Sequence, residues 1–153
     1  MTDSDACKAN LAECQDSVKR PRVLLADDHS AILERVASLL QSSFEVVGTA
    51  TNGRDLILEA QRLRPDIIVS DISMPILSGI DAAHELREAG LKPKLIFLSV
   101  HERVEFLRAC LAEGALGYVL KSRLAQDLLP AINAALVNRS FISPGFALNP
   151  AHP

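Results

Sequence analysis

Four short apolar stretches of this chain run into residues that can do chemistry. Pro65-Asp66-Ile67-Ile68-Val69-Ser70-Asp71 ends on an aspartate, and Arg22-Val23-Leu24-Leu25-Ala26-Asp27-Asp28-His29 runs into a pair of them. Lys94-Leu95-Ile96-Phe97-Leu98-Ser99-Val100 carries a hydroxyl near its end, and Gly117-Tyr118-Val119-Leu120-Lys121 ends on a lysine. One such end needs no comment: Asp71 alone reads equally as a strand-end residue capping the next helix. The set is complementary. Three ionised carboxylates in one place repel, by roughly 4 kcal/mol for two charges ~4 Å apart at an effective dielectric of 20, so they call for a cation. Hard oxygen ligands with no His or Cys nearby favour Mg²⁺. A carboxylate nucleophile, a bound Mg²⁺, a lysine and a hydroxyl make a phosphoryl-transfer site, where catalysis is positioning and charge neutralisation.

These residues share a site only if the fold gathers them. Ile67, Ile68 and Val69 form an unbroken apolar run, too short for a buried helix, which reads as a strand covered on both faces. Residues 44–50 (FEVVGTA) read as a further strand, making five. Helical spacing alternates with the strands. Ile32, Leu33, Val36, Leu39 and Leu40 follow Ser30 as a candidate N-cap, and Leu56, Ile57, Ala60 and Leu63 lie within residues 52–64. Further helices are expected over about residues 78–89, closed by Gly90, and 103–113, closed by Gly114. A last helix carries Leu128, Leu129, Ile132, Ala135 and Leu136, and its start is placed near Gln126 so that Pro130 falls early in it. Alternation of β and α predicts a parallel sheet with helices on both faces, because each crossover is right-handed and covers the sheet. The carboxyl ends of the strands then lie along one rim, where open α/β sheets bind ligands.

The chain has 153 residues, 48% of them hydrophobic, and a formal charge of -3, which suits one globular domain and argues against nucleic-acid binding through bulk charge. No apolar run approaches the ~18 residues of a membrane span. The first 20 residues are polar and mixed in charge, unlike a signal peptide. Cys7, Cys14 and Cys110 show no metal-ligand spacing, and an odd number of scattered thiols fits a reducing cytoplasm. His29, His84, His101 and His152 are equally dispersed. Within residues 1–20, Cys7, Leu11, Cys14 and Val18 fall at helical spacing, as either a short docking helix or a frayed tail. The expected organisation is an extension over 1–20, a core domain over 21–139 and a tail over 140–153.

The pair Asp27-Asp28, the motif Asp71-x-x-Met74-Pro75-x-x-x-Gly79, Ser99 and the stretch Gly117-Tyr118-Val119-Leu120-Lys121 together resemble the receiver domain of two-component response regulators. The resemblance covers about residues 21–138. It implies a flavodoxin-like strand order, 2-1-3-4-5. It implies that Asp71 accepts a phosphoryl group from a histidine kinase or phosphotransfer protein. It further implies that Asp28 and Asp71 bind Mg²⁺ with the backbone carbonyl of Ser73, with Asp27 assisting through water. Ser99 and Lys121 would contact the phosphoryl group, and Tyr118 would be the aromatic switch that moves as Ser99 is drawn inward. The stretches Leu98-Ser99-Val100-His101, Gly117 to Ser122, and Phe141-Ile142-Ser143-Pro144 look like the subgroup whose receivers precede a helix-turn-helix. Two residues depart from the common pattern: Ser122 stands where many receivers have Pro, and Val100 where many have a small residue.

The leading expectation is a receiver that signals through a partner protein, with a homodimer as one possible state. The alternative is the receiver of a DNA-binding transcriptional regulator without its helix-turn-helix. An aspartyl-phosphate hydrolase would need its nucleophile on the first strand and a second acid two residues on, whereas Asp27 and Asp28 are adjacent. An enzyme is therefore not expected. Residues 140–153 show no helical stripe, so this chain alone is not expected to bind DNA.

Overall fold

The computed structural model describes residues 20–100 and 103–144. The stripe of Cys7, Leu11, Cys14 and Val18, His101 and the tail from Gly145 lie outside the described residues. The elements alternate as expected: β1 (Arg22–Ala26), α1 (Ser30–Leu40), β2 (Glu45–Ala50), α2 (Gly53–Leu63), β3 (Ile67–Asp71), α3 (Gly79–Glu88), β4 (Lys94–Ser99), α4 (Val104–Ala112), β5 (Gly117–Leu120), α5 (Leu124–Leu136) and β6 (Phe141–Ile142). A 3₁₀ turn, Lys121–Arg123, joins β5 to α5. All pairings are parallel, in the order β2-β1-β3-β4-β5-β6.

The two-residue period of the strands divides the core between the two faces of the sheet. Val23, Leu25, Val69, Leu98 and Val119 pack with Val36 and Leu40 of α1 and Leu128 and Ile132 of α5. Leu24, Ile68, Phe97 and Tyr118 pack on the other face with Leu56 of α2, Leu86 of α3 and Leu107 of α4. Full burial of each such side chain is worth about 1.5–3 kcal/mol. Both faces being covered is why the strands read as unbroken apolar runs.

Three local expectations are corrected. Ser30 is the first residue of α1, and His29 occupies the cap position without a side-chain cap bond. Its imidazole is turned instead toward Asp27 and Asp28. Helix α5 begins at Leu124, so Pro130 stands at its seventh residue rather than near its start. Pro130 faces solvent, while Leu124, Leu128, Ala131, Ile132 and Ala135 are buried, and that stripe outweighs the one intrahelical bond Pro130 forgoes. Finally, the sheet has six strands, not five. Phe141 and Ile142, expected in the tail, pair with Gly117 and Tyr118 of β5.

Candidate phosphoacceptor site

Strand register assembles the rim. Ala26 of β1 is level with Ser70 of β3, so Asp27 and Asp71 leave neighbouring strands side by side. Asp71 is level with Leu98 of β4, and Ser99 with Leu120 of β5, so Ser99 and Lys121 continue the same edge. Two glycines let the loop after Asp71 close over it. A Cβ on Gly79 would collide with the Asp71 carbonyl, and one on Gly53 with the Leu77 carbonyl, to which the Gly53 N–H donates at 2.9 Å. The Gly79 N–H in turn donates to the Ile72 carbonyl at 2.8 Å.

The Lys121 ammonium lies 2.8 Å from Asp27 Oδ2 and 3.2 Å from Asp71 Oδ2. Asp27 is 1% exposed and Asp71 5%. Burial, then the Asp27 charge, pushes the Asp71 carboxyl above the usual range, against the opposing pull of Lys121 and the Ser73 backbone N–H. Burial by itself would lower the Lys121 ammonium; its close contact with Asp27 and the Asp71 charge more than offset this and hold it above its ordinary value. Ser99 and Tyr118, both buried, are hydrogen-bonded to each other, and burial raises the Tyr118 phenol while that bond opposes the rise.

Asp28 is exposed at the mouth. Ligand atoms of Asp27, Asp28, His29 and Asp71 all lie within 4.8 Å of one another. Three carboxylates thus face one ammonium. Asp27 Oδ2 is buried and accepts no well-aligned hydrogen bond among the described residues, its contact with Lys121 being an ion pair. Excess negative charge, a buried oxygen with unmet acceptor capacity and an oxygen-dominated donor set fit a hard divalent cation such as Mg²⁺.

The structure therefore brings Asp27, Asp28, Asp71 and Lys121 together, seats Ser99 on the same rim, and sets the Ser73 backbone against Asp71. His29 is the residue that sequence reasoning left out. Its Nδ1 is 3.0 Å from Asp27 Oδ1 and 3.2 Å from Asp28 Oδ1, and its backbone N–H donates to Asp27 Oδ1 at 2.9 Å. The signal for it was direct adjacency to the acid pair.

A family model for the response regulator receiver domain matches residues 23–133. The chain is 37% identical over 116 residues to YxjL, an uncharacterised transcriptional regulatory protein of Bacillus subtilis, a match covering 74% of this chain and 53% of YxjL. It is 35% identical over 123 residues to the nitrate/nitrite response regulator protein NarL of Escherichia coli, covering 79% of this chain and 57% of NarL. The chain thus spans little more than half the length of these curated relatives. A LuxR-family two-component response regulator from Aurantimonas superposes with a TM-score of 0.81 at 29% identity, over 88% of this chain and 97% of that one. The isolated receiver domain of RcsB from Salmonella enterica, in the presence of the phosphomimetic BeF₃⁻, gives 0.75 at 25% identity, over 82% and 95%. Fold, acidic rim and relatives agree, and the chain belongs to the response regulator receiver domain family.

Proposed function

We propose that Asp71 is the residue phosphorylated in this receiver, with Asp28, Asp71 and the Ser73 carbonyl holding Mg²⁺ and Asp27 assisting through water. The observation that carries this reading is the contact of Lys121 with both Asp27 and Asp71 at the mouth of the sheet. In this reading an Asp71 carboxylate oxygen attacks phosphorus. The donor's P–N bond breaks, and its electron pair leaves with the histidine nitrogen. Mg²⁺, when bound, neutralises phosphoryl oxygens and screens the acid cluster. Lys121 exchanges its contact with Asp71 for one with a phosphoryl oxygen, and the Ser99 hydroxyl donates to another. Incubation with acetyl phosphate and Mg²⁺ should add one phosphoryl group, read by intact mass. Equal labelling of Asp71→Asn, or full labelling in EDTA, would sink the assignment.

A second reading concerns what the receiver controls. YxjL is named a transcriptional regulatory protein and NarL a response regulator, and this chain spans 53% and 57% of their lengths. That supports a receiver serving a DNA-binding regulator over one acting alone through a partner protein. The phosphodonor in either case is a histidine kinase or phosphotransfer protein. Among the described residues no helix is long and apolar enough to cross a membrane, and residues 21–139 with β6 are read as one receiver unit. The intact mass of the protein from its native cells separates the two readings: a chain longer by a helix-turn-helix supports the regulator, and 153 residues the stand-alone module.

A further inference from the structure

Lys121 opens a 3₁₀ turn, and its ammonium must reach across to Asp27 and Asp71. A lysine side chain is long and has many rotamers, so where its ammonium rests depends on where its backbone begins. Both sides of that backbone are tied to one buried polar chain. Ser143 Oγ accepts from the Leu120 N–H at 3.0 Å and donates to Asp127 Oδ2 at 2.7 Å. The Asp127 carboxylate accepts from Arg123 Nε at 2.7 Å and Nη2 at 3.3 Å. Leu120 and Arg123, which flank Lys121-Ser122, are thus joined through Asp127 and Ser143. Ser143 is itself fixed to the sheet, its N–H donating to the Tyr118 carbonyl at 2.9 Å.

Ser143 is 1% exposed and Asp127 4%. A buried hydroxyl and carboxylate are costly unless satisfied, and an apolar pair would fasten β6 at less cost. Ser143 uses both its donor and its acceptor here, so the chain specifies a geometry rather than mere adhesion. We propose that Ser143, Asp127 and Arg123 are positioning residues for Lys121, holding the β5–α5 turn so that the ammonium meets the acceptor carboxylate. Ser143 lies ten residues beyond the end of the receiver-family match at residue 133. The segment after α5 therefore takes part in the site.

This inference rests on the role proposed for Lys121. The test uses the full chain, acetyl phosphate and Mg²⁺, with labelling rates taken from intact mass over a range of donor concentrations. Ser143→Ala should lower the maximal rate by about tenfold, short of the ~100-fold that a 1 Å misplacement brings. The donor concentration giving half that rate, and the Mg²⁺ requirement, should not change. In a Lys121→Ala background Ser143→Ala should have no further effect, because the group it positions is gone. A parent-like rate in Ser143→Ala, or an equal fall in the Lys121→Ala background, overturns the proposal. If Ser143→Ala does not fold at the assay temperature, Arg123→Ala decides by the same two criteria, since Arg123 is the half-exposed end of the chain. A parent that takes no label at all refutes the phosphorylation reading instead.

Discussion

Asp71 is held at some expense to the fold. Its carboxyl is buried beside the Asp27 charge and titrates above the ordinary carboxylate value of 3.8. The folded chain therefore binds this proton more tightly than the unfolded chain does. Folding keeps its full stability below that ordinary value and loses part of it as pH rises through the raised one. Asp71→Asn keeps the shape and cannot ionise, while Lys121 retains Asp27 at 2.8 Å. In EDTA at pH 7 the variant should melt a few degrees above the parent, and the gap should close near pH 3. A variant that melts below the parent at pH 7 would mean that the Lys121–Asp71 contact outweighs burial and repulsion together. A group that costs stability when charged, on the ligand-binding rim of the sheet, fits a residue kept for chemistry.

At the level of elements, the loop from β3 to α3 stores strain next to Asp71. The Leu77 N–H donates to the Pro75 carbonyl at 2.7 Å across Ile76, whose φ is 71°, which is the rarer γ-turn of positive φ. A β-branched residue is out of place there, and Ile76 gains no packing in return, being 79% exposed. Left-handed backbone costs an L-residue roughly 1–2 kcal/mol, against which glycine's extra unfolded-state entropy returns about 0.5–1. Ile76→Gly should accordingly raise the melting temperature by about 2 °C, measured by thermal denaturation without Mg²⁺; a fall would show that the loop is not strained at this residue. The elements also show where sequence reasoning reaches and where it stops. Asp27, Asp28, Asp71 and Lys121 were legible because each closes an apolar run whose length says strand, and parallel order sends strand ends to one rim. The γ-turn was not, since Pro75 announces a turn but nothing in Ile76 announces positive φ. Strand β6 was hidden because two residues have no period to read. The start of α5 was misplaced because Pro130 argues for a late start, while the Leu124–Leu128–Ile132 stripe and the Arg123–Asp127 pair favour an early one.

For the molecule as a whole, a phosphoryl group taken up at Asp71, as proposed, would have to act on a distant surface. Helices α1 and α5 cover one face of the sheet and α2, α3 and α4 the other. Ser99 ends β4, just before α4, and is hydrogen-bonded to Tyr118, which packs on the α4 face of the sheet with Leu107 and Cys110. Drawing the Ser99 hydroxyl toward a phosphoryl oxygen at Asp71 removes that partner from a fully buried phenol. Losing one hydrogen bond costs a buried hydroxyl about 0.5–1.5 kcal/mol, which would favour a new packing of the ring, and of α4 with it. The change is a shift between two packings, and the phosphoryl group moves it only by as much as it binds one better than the other. Reversal from 1:99 to 99:1 takes about 5.5 kcal/mol of that difference. With Mg²⁺ and beryllofluoride as the phosphoryl mimic, amide hydrogen exchange should therefore change chiefly over residues 103–121, which hold α4 and β5. The same mimic added to Asp71→Asn should change nothing. If the change is instead confined to residues 30–64, the signal leaves through α1, β2 and α2, and the Ser99–Tyr118 bond is structural.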